Sequence, residues 1–205
     1  MIREIAYDEI VHAQQHFRSI LDSMARPGKI NRLDPVRLTP PPALNKASVI
    51  VAFALLNGDV SFHLVNMDDE HRAYISANTR AVAASIETAA FVFLRGEEAA
   101  DVVEGIHCGI LTYPETAATA VIQVDAVSEH PIADGLKIEL QGPGIGTRSR
   151  VYVGHLNPDL LLALQARNME FPLGIDTIFT CDNGGSGDPC VFAIPRTTRV
   201  AWQAC

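Results

Sequence analysis

The chain has 205 residues, 48% of them hydrophobic and 20% charged, with a formal net charge of -8 and a pI near 5.3. That apolar content excludes a disordered chain, and the length allows a substantial core within one large domain. The acidic balance excludes binding modes that need a broad basic surface, so neither nucleic acid nor an anionic membrane is an expected partner.

In chain order, Ile10, Ala13, Phe17, Ile20, Leu21 and Met24 fall on one face at helical spacing, which predicts a helix from Asp8 to Met24 with Asp8 as N-cap. Arg26-Pro27-Gly28 stops it, and a short strand from Lys29 follows. The Pro40-Pro41-Pro42 run is a stiff connector into an apolar helix, Ala43 to Leu56, ended by Asn57-Gly58. Val60 to Val65 reads as a strand, the polar stretch Asn66 to Asn78 as a loop, Thr79 to Ile86 as a short helix and Ala89 to Leu94 as a buried strand. Glu97 to Ile106 reads as a helix with an acidic start, Ala118 to Val124 as a buried strand, and Leu136 to Leu140 and Val151 to Val153 as further strands. Asn157-Pro158 gives an N-cap with Pro at the first helical position, and a helix continues through Leu160 to Ala166. The stretch Glu170 to Val200 holds two runs rich in Ile, Phe, Val and Thr around a Gly/Asp-rich break, the pattern of an antiparallel strand pair. Strands alternate with helices early and become hairpin-like late, so the fold class is α/β with helices packed on one mixed sheet.

The longest apolar run, Val49 to Leu56, is too short to cross a bilayer, and MIREIAYDEI carries acidic residues where a signal peptide needs a basic then apolar segment. A soluble cytoplasmic protein is expected. Cys108, Cys181, Cys190 and Cys205 lack C-x-x-C spacing; Cys181 and Cys190 flank the hairpin break and could face each other as reduced thiols.

Several groups are candidates for a ligand or an interface. Gly142-Pro143-Gly144-Ile145-Gly146, followed by Arg148 and Arg150, could wrap an anion or simply turn the chain between two strands; it is no Rossmann fingerprint, because no helix follows it. Arg18, Asp22 and Arg26 repeat every four residues and form either a solvated ladder or an interface stripe. Asp176 and Arg196 lie on neighbouring strands of the hairpin, where they could pair with each other or hold a ligand beside Thr197 and Thr198. His12 and His16 are one turn apart but off the apolar face, without the acid of an H-E-x-x-H pattern, and no metal site is expected. Only Lys29, Lys46 and Lys137 could form a Schiff base, and none has a Ser/Thr-rich phosphate loop beside it, so no pyridoxal phosphate or other cofactor is expected. Nucleophile-elbow and P-loop patterns are absent, and the catalytic residues are left unassigned.

FRSILDSMARPG at 17 to 28, QGPGI at 141 to 145, FPLGIDTIFTC at 171 to 181 and AIPRTTRV at 193 to 200 resemble, in order, the H subunits of the bacterial carbon-phosphorus lyase system, the PhnH family. The likeness spans essentially the whole chain and implies a single PhnH-like domain over 1–205. It implies a three-layer sandwich similar to the PLP-dependent transferases but without the PLP lysine. The partners it implies are the G, I and J subunits of a core complex, with a homodimer when the chain is alone. With an accessory ATP-binding-cassette-like subunit, that machinery converts alkylphosphonate and ATP to ribose 1-alkylphosphonate 5-triphosphate and adenine, as a ribose 1-methylphosphonate 5-triphosphate synthase, a transferase. The expectation is a required, structural subunit of this activating step. The alternative is a phosphonate- or nucleotide-phosphate-binding subunit with an Arg-lined cleft formed by Arg148, Arg150, Arg196 and Asp176.

Overall fold

The computed structural model describes residues 3–183 and 188–205. Helix α1 runs Val11–Ala25, and the Asp8 carboxylate accepts from the backbone N-H of Ile10 at 2.8 Å and of Val11 at 2.7 Å. Asp8 therefore satisfies first-turn donors as expected, although the helix proper begins later. Strand β1 is only Asn31–Arg32. Helix α2, Lys46–Leu55, is capped by Asn45, whose side chain accepts from Ser48 N-H, and by Asp182, which accepts from the N-H of Lys46 and Ala47 at 2.8 and 2.9 Å.

Strand β2, Ser61–Leu64, matches expectation. The next two segments do not. Asn66 to Asn78 holds helix α3, Asp69–Thr79, with Asp68 accepting from Glu70 and His71 N-H. Its inward face is His71, Tyr74, Ile75 and Thr79, a helical spacing disguised by polar residue types. Thr79 to Ile86 is no helix: Arg80 turns the chain in the left-handed region and β3, Val82–Ala83, pairs parallel to β2. Strand β4 is Phe91–Arg95. The expected helix Glu97 to Ile106 is a 3-10 segment, Ala100–Gly105, whose Val103 and following Ile106 are buried as the apolar spacing required.

Strand β5, Thr119–Gln123, is followed by β6, Ala126–Ser128, β7, Leu136–Gln141, and β8, Ser149–Gly154. Helix α4, Pro158–Arg167, has the expected Asn157 cap. The hairpin is β9, Asp176–Cys181, against β10, Cys190–Ile194, in antiparallel register; its connecting residues 184–187, within the Gly/Asp-rich break, lie outside the described residues. Pro195 offers no N-H to continue that ladder, Thr198 N-H turns back to its carbonyl at 2.8 Å, and the chain leaves as β11, Arg199–Ala204.

Two sheets form among the described residues, where one was expected. The first is mixed and seven-stranded in the order β1-β10-β9-β5-β4-β2-β3; the second is antiparallel, β11-β7-β8-β6. Side-chain alternation assigns each face of the large sheet. Phe93, Val121, Ile178, Val191 and Ala193 pack under α1 to α3, whereas Val92, Leu94, Ile122, Phe179 and Phe192 pack against α4 and the second sheet. The result is α/β, with a mixed central sheet covered by helices on one face and by a helix plus a small sheet on the other. Strands buried on both faces read as continuous apolar runs, which is why β4, β5, β9 and β10 were legible.

Candidate functional site

Asp176 opens β9 and Arg196 follows Pro195 at the end of β10, so the hairpin register brings them together. The Asp176 carboxylate accepts from Arg196 backbone N-H at 2.8 Å, Nε at 3.1 Å and Nη2 at 2.7 Å. Nη1 donates to the carbonyls of Pro114 at 3.1 Å and Pro172 at 3.3 Å. Every guanidinium nitrogen is engaged inside the chain, and only 14% of the Arg196 side chain is exposed. A charge so far removed from water must be met by its own neighbours, and this one is.

Beside the pair lies a cleft of about 450 Å³ walled by Leu161, Leu164, Phe179, Ile194 and Val200, with Arg196, Thr197 and Thr198 on its lining. Thr198 is buried, and its Oγ1 is without a hydrogen-bond partner among the described residues. Arg148 and Arg150 do not line this cleft. They stand with Lys137 around Glu139 on the second sheet, at 3.6, 3.4 and 2.7 Å, and Lys137 foremost holds the Glu139 carboxyl below its usual range.

The charged ladder on α1 forms in part. Asp22 is held by Arg26 and by Lys29, each at 2.7 Å, and the Lys29 hydrogen bond lowers its pKa most. Arg18 has no ion pair among the described residues. The two histidines are corrected: His16 is fully buried rather than on a solvated face, with Nε2 donating to Asp34 carbonyl at 3.0 Å and Nδ1 near Tyr7 Oη at 3.3 Å, while His12 Nδ1 accepts from Asp8 N-H at 2.9 Å. That carbonyl can only accept, which assigns the proton of neutral His16 to Nε2. Among the described residues no group of three or more His, Cys, Asp or Glu is placed to hold a metal.

The glycine-rich segment serves packing at the end of α1. A Cβ on Gly144, at φ +80°, would collide with the Ala25 carbonyl, and one on Gly28, also at φ +80°, would lie 2.6 Å from Ser149 Oγ. Gly28 N-H also reaches the Ala193 carbonyl at 3.2 Å. The stretches at 25–28, 141–146 and 193–198 therefore meet at one corner, although they are far apart in the chain.

A second, polar cleft of about 550 Å³ lies at the carboxyl ends of β4, β5 and β9, lined by Asn45, Arg95, Glu97, Gln123, Asp125, His155 and Asp182 among others. Asp125 Oδ2 meets His155 Nδ1 at 2.5 Å, and Arg95 meets Glu97 at 3.0 Å. Ala43 and His155, both on its lining, have positive φ of 74° and 50°. The carboxyl edge of parallel strands is where open α/β sheets place ligands, and strained non-glycine residues gather at such sites.

Residues 6–201 match the family described as bacterial phosphonate metabolism protein (PhnH). The chain belongs to the PhnH family. It is 32% identical over 197 residues to the alpha-D-ribose 1-methylphosphonate 5-triphosphate synthase subunit PhnH of Rhizobium meliloti strain 1021, covering 94% of this chain and 92% of that protein. It is 27% identical over 191 residues to HtxG of Stutzerimonas stutzeri, named as a candidate C-P lyase subunit, covering 91% and 85%.

For this PhnH-family chain, sequence reasoning placed Asp176, Arg196, Thr197 and Thr198 together, and placed Arg148 and Arg150 with them where the structure puts these two on the outer sheet. It missed the carboxyl-edge cleft entirely. The available signal was Asp125 directly after the buried run at 118–124 and His155 directly after the strand ending in Val153-Gly154, since polar residues at strand ends border such a cleft. No helix among the described residues is long and apolar enough to cross a membrane.

Proposed function

We propose that this chain is the H-type subunit of a ribose 1-methylphosphonate 5-triphosphate synthase within a C-P lyase assembly, required there as a structural component and without a complete catalytic centre of its own. The observation that carries this reading is the nearly end-to-end family match together with a relative of 32% identity named as a subunit of that synthase. The geometry supports it: Arg196, the most constrained of the candidate cations, is consumed by Asp176 and two carbonyls and is not held out to a substrate. The Asp125-His155 pair resembles a base with its orienting acid, but the Cys181 thiol reaches only the Asp125 backbone carbonyl, at 3.2 Å, and neither side chain of the pair is hydrogen-bonded to a Ser, Thr or Cys nucleophile among the described residues.

With this reading go one domain over 1–205, a cytoplasmic location, a homodimer when alone, G, I and J subunits as partners, and kinship of the layered architecture to the PLP-dependent transferases. The absence of a Schiff-base role is supported by lysine placement: Lys29 pairs with Asp22, Lys137 with Glu139, and none of the lysines lines either cleft described above. Reconstitution tests the reading. The G and I partners with the accessory ATP-binding-cassette-like subunit should form the ribose product at full rate only when this chain is added, and an equal rate without it overturns the proposal.

The ligand-binding alternative keeps one observation in its favour, the apolar cleft of about 450 Å³ with Thr197 and Thr198 at its wall. Arg148→Ala, Arg150→Ala and Arg196→Ala separate the two readings. Lost phosphonate or nucleotide affinity with intact partner binding favours a ligand site; the opposite pattern favours an interface.

A further inference from the structure

Helix α1 turns His16, Ile20 and Ser23 inward and leaves much of its apolar surface in solvent. Ile10 is 81% exposed, Phe17 47% and Leu21 54%. With Gln14 these positions are spaced 4, 3 and 4 residues apart, which aligns them as one seam along the helix and its N-cap. A seam of about 16 Å at 1.5 Å per residue is long enough to receive about three turns of a second helix. Single exposed apolar residues are ordinary, but an aligned row on an otherwise amphipathic helix is the form of a docking face.

Charge identifies the kind of occupant. Arg18 borders the seam, is exposed, and has no ion pair among the described residues. The carboxylates nearest along the helix are already engaged: Asp8 by the N-H groups of Ile10 and Val11, Glu9 by Arg3 at 3.4 Å and Arg80 at 3.8 Å, Asp22 by Arg26 and Lys29. A second copy packed antiparallel on this seam would bring Arg18 no free acid. We propose that the Ile10-Phe17-Leu21 seam docks an amphipathic helix of a different subunit, one that offers apolar side chains to the seam and a carboxylate to Arg18. This rests on the subunit reading above and names the surface through which it operates.

The test is co-expression of the full chain with its G, I and J partners. Because the substituted side chains are exposed, Phe17→Asp with Leu21→Asp, and separately Arg18→Glu, should leave the circular dichroism and melting temperature of the isolated chain unchanged. Each should lower co-purified partner by about tenfold or more, since a reversed charge or an acid in an apolar seam removes the contact outright. A photo-cross-linking amino acid at Gln14 should yield a product with another subunit. Undiminished co-purification of both variants, or a cross-link between two copies of this chain, overturns the proposal while leaving the subunit reading intact. Failure of the unaltered chain to co-purify overturns the subunit reading itself. Should the double variant unfold, Arg18→Glu and the Gln14 cross-link still decide.

Discussion

The Asp176 carboxylate accepts three hydrogen bonds from Arg196, one from its backbone and two from its guanidinium, and so ties the start of β9 to the point where the chain leaves β10. Removing one partner strands the other with little water. Asp176→Asn or Arg196→Ala should each cost about 3 kcal/mol in urea unfolding. Arg196→Lys should not restore it, because a single ammonium cannot bridge Asp176 and the carbonyls of Pro114 and Pro172 at once. Equal stability of Arg196→Lys and the unaltered chain would show that charge alone suffices.

Two neighbouring glycines should behave oppositely. Gly144→Ala places a methyl group against the Ala25 carbonyl at a φ of +80° and should destabilise by about 2 kcal/mol or more. Gly146→Ala meets nothing within 4 Å and should change stability by less than about 0.5 kcal/mol. A thermal-melt comparison of the two separates a packing role for this segment from an anion-binding one.

Acid should act on His16 and His71 in opposite directions. Burial, foremost, lowers the His16 pKa below 6.5, so its contribution is present above that value and is lost as pH falls through the folded pKa. For His71 burial pulls downward, but the Pro42 carbonyl and Asp68 outweigh it and the pKa is raised; its contribution is present below 6.5 and is lost as pH rises through the folded pKa. His16→Gln should flatten the fall in melting temperature below neutrality, and His71→Gln should flatten the fall on the alkaline side. Unchanged slopes in both variants would show that other groups govern the profile.

Cys181 and Cys190 stand directly opposite each other across β9 and β10, both buried and reduced. The two adjacent thiols act on each other, so that Cys190 holds the Cys181 pKa down while Cys181, together with burial, pushes that of Cys190 up. Exposed Cys205 should therefore react first with an alkylating reagent under native conditions, with the buried pair modified only on unfolding, as mass spectrometry of the labelled peptides would report.

Local physics determined much of this protein from the sequence by itself. Doubly buried strands have to be continuous apolar runs, Asn157-Pro158 has to begin a helix, and the Ile/Phe/Val runs around the Gly/Asp break have to pair; that pairing already made Asp176 and Arg196 neighbours. Helix α3 escaped notice because His71 and Tyr74 carry its inward face, and the second sheet because periodicity tells strand from loop but not which sheet a strand joins. Only the tertiary structure decided what depends on residues distant in the chain. It buried His16 under Tyr7 and Asp34, set the glycine segment against the end of α1, separated Arg148 and Arg150 from Arg196, and drew Asp125, His155 and Asp182 to one edge of the sheet. It also divided the apolar face of α1, turning Ala13, Ile20 and Met24 to the core and leaving Ile10, Phe17 and Leu21 exposed. Ile10, Phe17 and Leu21 share a face by spacing alone, but whether that face meets the core or the solvent depends on where α2 and β10 stand, and they stand on the other side.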